Sequence, residues 1–313
     1  MPDWLESAGV DCGIYGSIMG WVYKFHLPLL FMLSGYAEGI RPPQSFKREF
    51  LKSVVNLYIP CLFFSYLQAF LNLLVFSSSN FVNVHIPGMS HFLTIPFAGF
   101  FNYWFLCTLF LVKTVHFFFV CVVRNQYIHF AFWVIIFILA GFFGNFTPLV
   151  NIWDFSRGLY FFAGYVICTK NYVSRGKTPG FLCGTAFLSA GLLILFAVHS
   201  DGAARFFVNA AGASCVIFSL LILFYALNVS NKFLSFCGLY SMVIYCIHNY
   251  AAMIFRISYK LGGFSSYGLV VLPCIVCFAM ALFVPLGVVW LYKNVKCLRW
   301  IEYIFYPGKL IRI

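Results

Sequence analysis

The chain has 313 residues, 63% of them hydrophobic and only 9% charged, with a mean hydropathy of +0.92. Soluble domains carry roughly 25% charged residues, and here apolar runs of about twenty residues recur from end to end. One water-soluble core is excluded, and the reading is an all-α, polytopic membrane helical bundle. The formal net charge of +12 does not call for nucleic acid. The basic residues sit in short stretches between apolar runs, where they orient helices and meet anionic lipid headgroups.

Residues 1–12 are polar and acidic, with Asp3, Glu6 and Asp11 and no basic residue, so they are expected at the outer surface without a cleavable signal peptide. The first apolar run, Gly13–Glu38, contains Lys24, His26 and Pro28. Proline has no backbone N–H, so in a helix the Lys24 carbonyl loses its partner and the segment bends beside His26. Ionisable groups at that depth are costly and mark a functional site by default. The alternative is a histidine satisfied by a neighbouring helix, with Lys24 reaching outward to the headgroups.

A basic loop follows, with Arg41, Pro42, Pro43, Lys47 and Arg48. The second segment is Lys52–Phe76, with Pro60 inside it. Ser77–Gly99 has no Lys or Arg and reads as a long outer loop with a partly re-entrant piece; its His85 and His91 flank Pro87 as solvated residues. Further segments are expected at Phe100–Val123, His129–Asn145, Asp154–Cys168, Gly180–His199, Phe206–Asn228, Gly238–Phe255 and Gly268–Tyr292, before a basic cytoplasmic tail, Lys293–Ile313. The segments 129–145 and 154–168 are short and expected to be tilted or broken.

Charge orients this ladder. The inner loops would hold Arg41, Lys47, Arg48 and Lys52, then Arg124, then Lys170, Arg175 and Lys177, then Lys232. The outer loops keep Arg205, Arg256 and Lys260 near helix ends. Positive charge collects on the cytoplasmic side, so about nine helices are expected, with the N-terminus outside and the C-terminus inside. The whole chain, 1–313, reads as one membrane-embedded domain. Of twelve cysteines, most lie in or beside apolar runs, and the pair Cys274–Cys277 has no second pair at metal spacing. Neither a disulfide framework nor a metal site is expected.

Several collinear motifs then resemble one family, the integral-membrane acyltransferases of the acyltransferase-3 type, in particular the fucose 4-O-acetylase-like branch. They are Phe25-His26-Leu27-Pro28 through Ser34-Gly35-Tyr36, the basic stretch Phe46–Phe50 running into Leu57-Tyr58-Ile59-Pro60, Tyr103-Trp104-Phe105-Leu106, Tyr160-Phe161-Phe162-Ala163-Gly164-Tyr165, and Ile244-Tyr245-Cys246-Ile247-His248. The resemblance covers nearly the whole chain. It implies a fold of about ten helices, no bound cofactor, and acetyl-CoA or another acyl-CoA as co-substrate entering from the cytoplasm. It also implies a carbohydrate hydroxyl as acceptor and the bacterial inner membrane as location. The family's first helix, with an arginine and a histidine near its outer end, has no counterpart, and Met1 falls in the loop after it. Two basic positions of the family are Asn56 and Ser53 here.

Acyl transfer to a hydroxyl needs a base, donors for the tetrahedral oxyanion and a positioned thioester. His26 is the candidate base, since imidazole titrates near neutrality. Lys24, Arg157, His248 and Trp104 are candidates for substrate binding or the oxyanion. Their plainer roles are a snorkelling lysine, a local Asp154–Arg157 pair, a helix cross-link and an interfacial aromatic. Arg41, Lys47, Arg48 and Lys52 could meet the phosphates of the acyl-CoA, although the positive-inside signal alone explains them. The competing functions are a small-solute permease and a catalytically inactive relative.

Overall fold

The computed structural model describes residues 13–41, 43–76, 89–98, 103–143, 152–170, 183–191, 194, 202–227, 231–261 and 271–311. The acidic start, His85, Arg175, Lys177 and Arg312 lie outside the described residues, as do the side chains of His91, Arg256 and Lys260. Among the described residues every regular element is helical. In order these are α1 (Gly13–Gly39), α2 (Phe46–Ser53), α3 (Ile59–Phe76), α4 (Met89–Ala98), α5 (Trp104–Phe118), α6 (Gln126–Phe143), α7 (Ile152–Phe155) and α8 (Gly158–Thr169). Then come α9 (183–191), α10 (Gly202–Leu227), α11 (Lys232–Leu239), α12 (Ser241–Leu261) and α13 (Val271–Asn294), with short turns of helix in the tail.

Among the described residues five stretches are long and apolar enough to cross a bilayer: Phe46–Leu73, Trp104–Val123, Gln126–Phe143, Ala203–Phe224 and Cys274–Asn294. A sixth follows if α11 and α12, bent by 81°, form one broken span. The 27-residue α1 is long enough at 1.5 Å per residue. It falls outside that set because Lys24 and His26 dilute its apolar character. Large side chains such as Phe142, Phe278 and Trp290 lie more than half exposed, as lipid-facing surfaces require. The chain is an all-α, polytopic membrane protein.

Local chemistry sets the element ends. Lys47 and Arg48, expected in a loop, lie on α2, because the Ser45 hydroxyl caps the Arg48 N–H at 3.4 Å and Phe46 stacks on Phe50 one turn later. Between α2 and α3, Val54–Tyr58 is a π-turn. Pro60 cannot donate to the Asn56 carbonyl, and the backbone widens just before it. Arg124 turns left-handed (φ 54°) to close α5's final π-turn, and Asn125 caps α6 through Tyr127 and Ile128. Within the expected outer loop, Met89–Ala98 is helical and carries Pro96.

The helices group into two compact units. The first comprises Ile14–Leu51 and Thr108–Val229; the second comprises Lys52–Cys107 and Ser230–Ile313. In the second unit α12 packs along α13, and a buried Tyr103 donates to the Cys246 carbonyl at 2.8 Å. The core of the first unit holds Phe31, Met32, Phe117, Trp133, Phe161 and Ile217. There the Trp133 indole donates to His129 Nε2 at 2.9 Å, and Lys113 pairs with Glu38 at 2.5 Å.

Two glycines bring α1 and α8 into backbone contact. A Cβ on Gly35 would land on the Phe161 carbonyl, and one on Gly164 would land on the Met32 carbonyl. Small residues allow this approach where lipid supplies no hydrophobic drive between helices. Gly35→Val and Gly164→Val should each cost about 1–3 kcal/mol by overpacking. Gly238→Ala, with nothing within 4 Å of the new atom, should be near neutral. Thermal unfolding of the detergent-purified variants checks the contrast.

Candidate functional site

The first unit encloses a cavity of about 590 Å³. The α1 face contributes Gly20, Tyr23, Lys24, Leu27 and Pro28. These positions follow the three- and four-residue spacing of one helical stripe. The turn before α8 and its first residues add Ser156, Arg157 and Tyr160. Helix α10 adds Arg205, Phe206, Asn209, Ala210 and Ala213, and Phe137 closes the wall from α6.

The turn between α7 and α8 fixes Arg157. Its backbone N–H donates to the Asp154 carbonyl at 3.2 Å, and its guanidinium forms an ion pair with the Asp154 carboxylate. Both side chains are only 17% exposed. Tyr160, one turn into α8, donates to the Ala210 carbonyl at 3.1 Å and meets the Ser214 hydroxyl at 3.3 Å. The start of α8 is thereby tied to α10.

His26 does not line this cavity. Two residues along a helix turn about 200°, so the face that presents Lys24 carries His26 away from it. Its ring is half-buried and packs edge-on against Tyr23, a lining residue, with centroids 5.1 Å apart. Nδ1 is buried, and the ring's hydrogen-bond partner is the Val22 carbonyl one turn earlier. The field of Arg157 reaches the imidazole, and that of Arg205 reaches Lys24.

Of the expected site residues, Lys24 and Arg157 meet in one cavity. His248 and Trp104 belong to the second unit. His248 Nδ1 lies 2.7 Å from the Tyr245 carbonyl and 3.2 Å from that of Ile244, bonds within its own helix. Trp104 is half-buried and packs edge-on against Phe105. Arg41, Lys47 and Arg48 are exposed, Lys52 is half-buried, and none of the four lines the cavity. Sequence reasoning missed Arg205, Asn209 and Ser156. The available signal was polar residues at 205 and 209, four apart at the start of a long apolar run.

Residues 14–291 match the acyltransferase-3 family model, described as an acyltransferase domain. The chain belongs to the acyltransferase-3 family. The matched span covers α1 through most of α13, so this membrane acyltransferase carries its family signature in both compact units. No curated protein and no solved structure matches the chain significantly.

The acyltransferase keeps its cavity wall through the Asp154–Arg157 pair, and removing Asp154 takes away the carboxylate that the guanidinium pairs with. Breaking a buried pair costs about 3–5 kcal/mol, and the partial exposure here puts Asp154→Asn at the lower end. A thermal melt of Asp154→Asn should fall well below those of wild type and of Asp154→Asn/Arg157→Gln, in which neither position is charged.

Proposed function

We propose that this acyltransferase moves an acetyl or other short acyl group from acyl-CoA to a hydroxyl of a cell-surface carbohydrate, with His26 as general base. The reading places the chain in the fucose 4-O-acetylase-like branch, in a bacterial inner membrane, with the N-terminus outside and the tail inside. The observation that carries it is His26 itself. It is a half-buried imidazole two residues before Pro28, packed against the cavity residue Tyr23 and inside the matched span.

In this mechanism the acceptor hydroxyl gives its proton to the His26 imidazole as its oxygen attacks the thioester carbonyl. The tetrahedral intermediate places negative charge on the former carbonyl oxygen. Lys24 or Arg157 supplies donors for it, which requires the bend at Pro28 to bring the imidazole round to the cavity that they line. Collapse expels CoA as a thiolate, which recovers the proton from the imidazolium, and the acyl ester leaves on the carbohydrate. Acyl-CoA reaches the site from the cytoplasm, where Arg41, Lys47, Arg48 and Lys52 would meet its phosphates. The lipid bilayer is the remaining partner, and the mechanism needs neither metal nor bound cofactor.

His26→Ala should lower transfer of label from acetyl-CoA to cell-surface glycan by about 10²–10⁴-fold, the range for a lost general base. His248→Phe, which alters a ring bonded within its own helix, should keep most of the activity. Equal labelling by wild type and a stably inserted His26→Ala would remove His26 from the chemistry. Absence of labelling in wild type would favour the inactive relative.

A further inference from the structure

Beside the polar cavity lies a second one, of about 360 Å³, also within the first unit. Its wall is built from Met32 of α1, Phe137 of α6, Leu159 and Ala163 of α8, and Phe207 and Ile217 of α10. The two cavities share Phe137, Tyr160 and Ala210, so a ligand that leaves the first past these side chains enters the second. Helix α10 shows why they adjoin. Phe206, Asn209 and Ala213 line the polar cavity, whereas Phe207, Ala211, Ser214 and Phe218 line its neighbour. These are two stripes of three- and four-residue spacing, set side by side on one helix. The second stripe runs on to Phe218, eight residues beyond Ala210 and about 12 Å along the axis.

This second cavity offers little to a polar ligand. Its polar side chains, Tyr160 and Ser214, are engaged with each other and with the backbone. Both hydroxyls donate to the Ala210 carbonyl, at 3.1 and 2.7 Å, and they lie 3.3 Å apart. The rest of the wall is alkyl and aryl. Sugar hydroxyls, or the amides of a pantetheine arm, would lose water there and gain no partner in exchange. An alkyl chain gives up nothing on entering, and it gains the dispersion contacts of the wall.

The acyl-transfer reading sets the thioester carbonyl at Lys24 or Arg157. Tyr160, three residues after Arg157, is one of the side chains that both cavities share. The chain beyond that carbonyl can stay among charges or pass Tyr160 into an apolar space, and the apolar space is where it is stable. An acetyl group has a single methyl to place there and would leave most of the about 360 Å³ unfilled. We infer that the second cavity seats the alkyl chain of the acyl donor, so that the preferred acyl group is longer than acetyl, a saturated chain of the butyryl to hexanoyl class. The inference rests on the acyl-transfer reading for its donor, but its test is one of binding without chemistry.

The protein in phosphatidylcholine nanodiscs is titrated calorimetrically with S-ethyl, S-butyl, S-hexyl and S-octyl coenzyme A, thioethers that cannot transfer a group. Empty nanodiscs correct for partition into lipid. Affinity should rise about 4-fold per added methylene from ethyl to hexyl, as burial of each methylene requires, and level off at octyl. Ala211→Phe, which puts a ring into the cavity, should flatten the series to within about 2-fold. Phe218→Ala, which opens the far end, should carry the gain on to octyl. Both positions are exposed, so both variants are expected to stay folded, checked by an unchanged melting temperature.

Affinities independent of length, a gradient indifferent to Ala211→Phe, or no binding of any thioether overturns the proposal. The acyl-transfer reading fails separately. A graded series in a protein that moves no label from any acyl-CoA to glycan keeps the chain seat and removes the chemistry, whereas transfer with a flat series does the reverse. A last arm uses a phosphatidylcholine with a diazirine in its acyl chain. If that lipid labels the cavity in wild type but not in Ala211→Phe, and the thioether series is flat, the cavity holds bilayer lipid and the donor-chain proposal fails.

Discussion

Much of the first unit depends on a contact between two backbones. Where α1 crosses α8, Gly35 faces the Phe161 carbonyl and Gly164 faces the Met32 carbonyl, each with no room for a Cβ. Within a bilayer, apolar side chains gain little by leaving lipid for protein, so close packing must do what water does elsewhere. The two glycines permit that packing at one level of the helix pair. Everything further along α1 inherits its position from there, including the stripe that presents Lys24 to the cavity.

Above that contact the chain concentrates polarity that a membrane would otherwise reject. Arg157 is tolerated because Asp154 lies three residues away across a tight turn, and Tyr160 is tolerated because its hydroxyl finds the Ala210 carbonyl. The polar wall is thus assembled from groups that each carry local compensation. Lys24 and Arg205 contribute charge of the same sign to that wall from two other helices. Separately, a lysine and glutamate pair, Lys113 with Glu38, ties α5 to the far end of α1.

How much of this was legible in the residues differs by feature. The helical segments could be read, because runs of Leu, Phe and Val interrupted by basic stretches are a strong signal in lipid. The breaks could be read in part: the short 154–168 segment is a single turn, α7, followed by α8. The extension of helix back to Phe46 was not, since a basic stretch next to two prolines looks like a loop until Ser45 is seen capping it. Lys24 and Arg157 were legible as candidates from their depth alone. Their meeting was not, because it requires the crossing of α1 on α8, and glycine spacing does not reveal its partner. Arg205 was hidden for the opposite reason: a cation near a helix end is what headgroup anchoring also produces. His26 was singled out beside a proline, yet helical geometry turns it away from the face that Lys24 shares with the cavity.

The glycine contact also acts as a fulcrum. Lys24 lies eleven residues before Gly35, about 16 Å along the helix. A tilt of about 5° at the crossing would therefore swing the lysine end by about 1.4 Å over that lever arm. Pro28 stands between fulcrum and tip, where the missing hydrogen bond makes the rod compliant. The aperture of the cavity is in this sense set by atoms that never touch its contents. Selection for a wider or narrower acceptor could act on residues 35 and 164, neither of which lines the cavity.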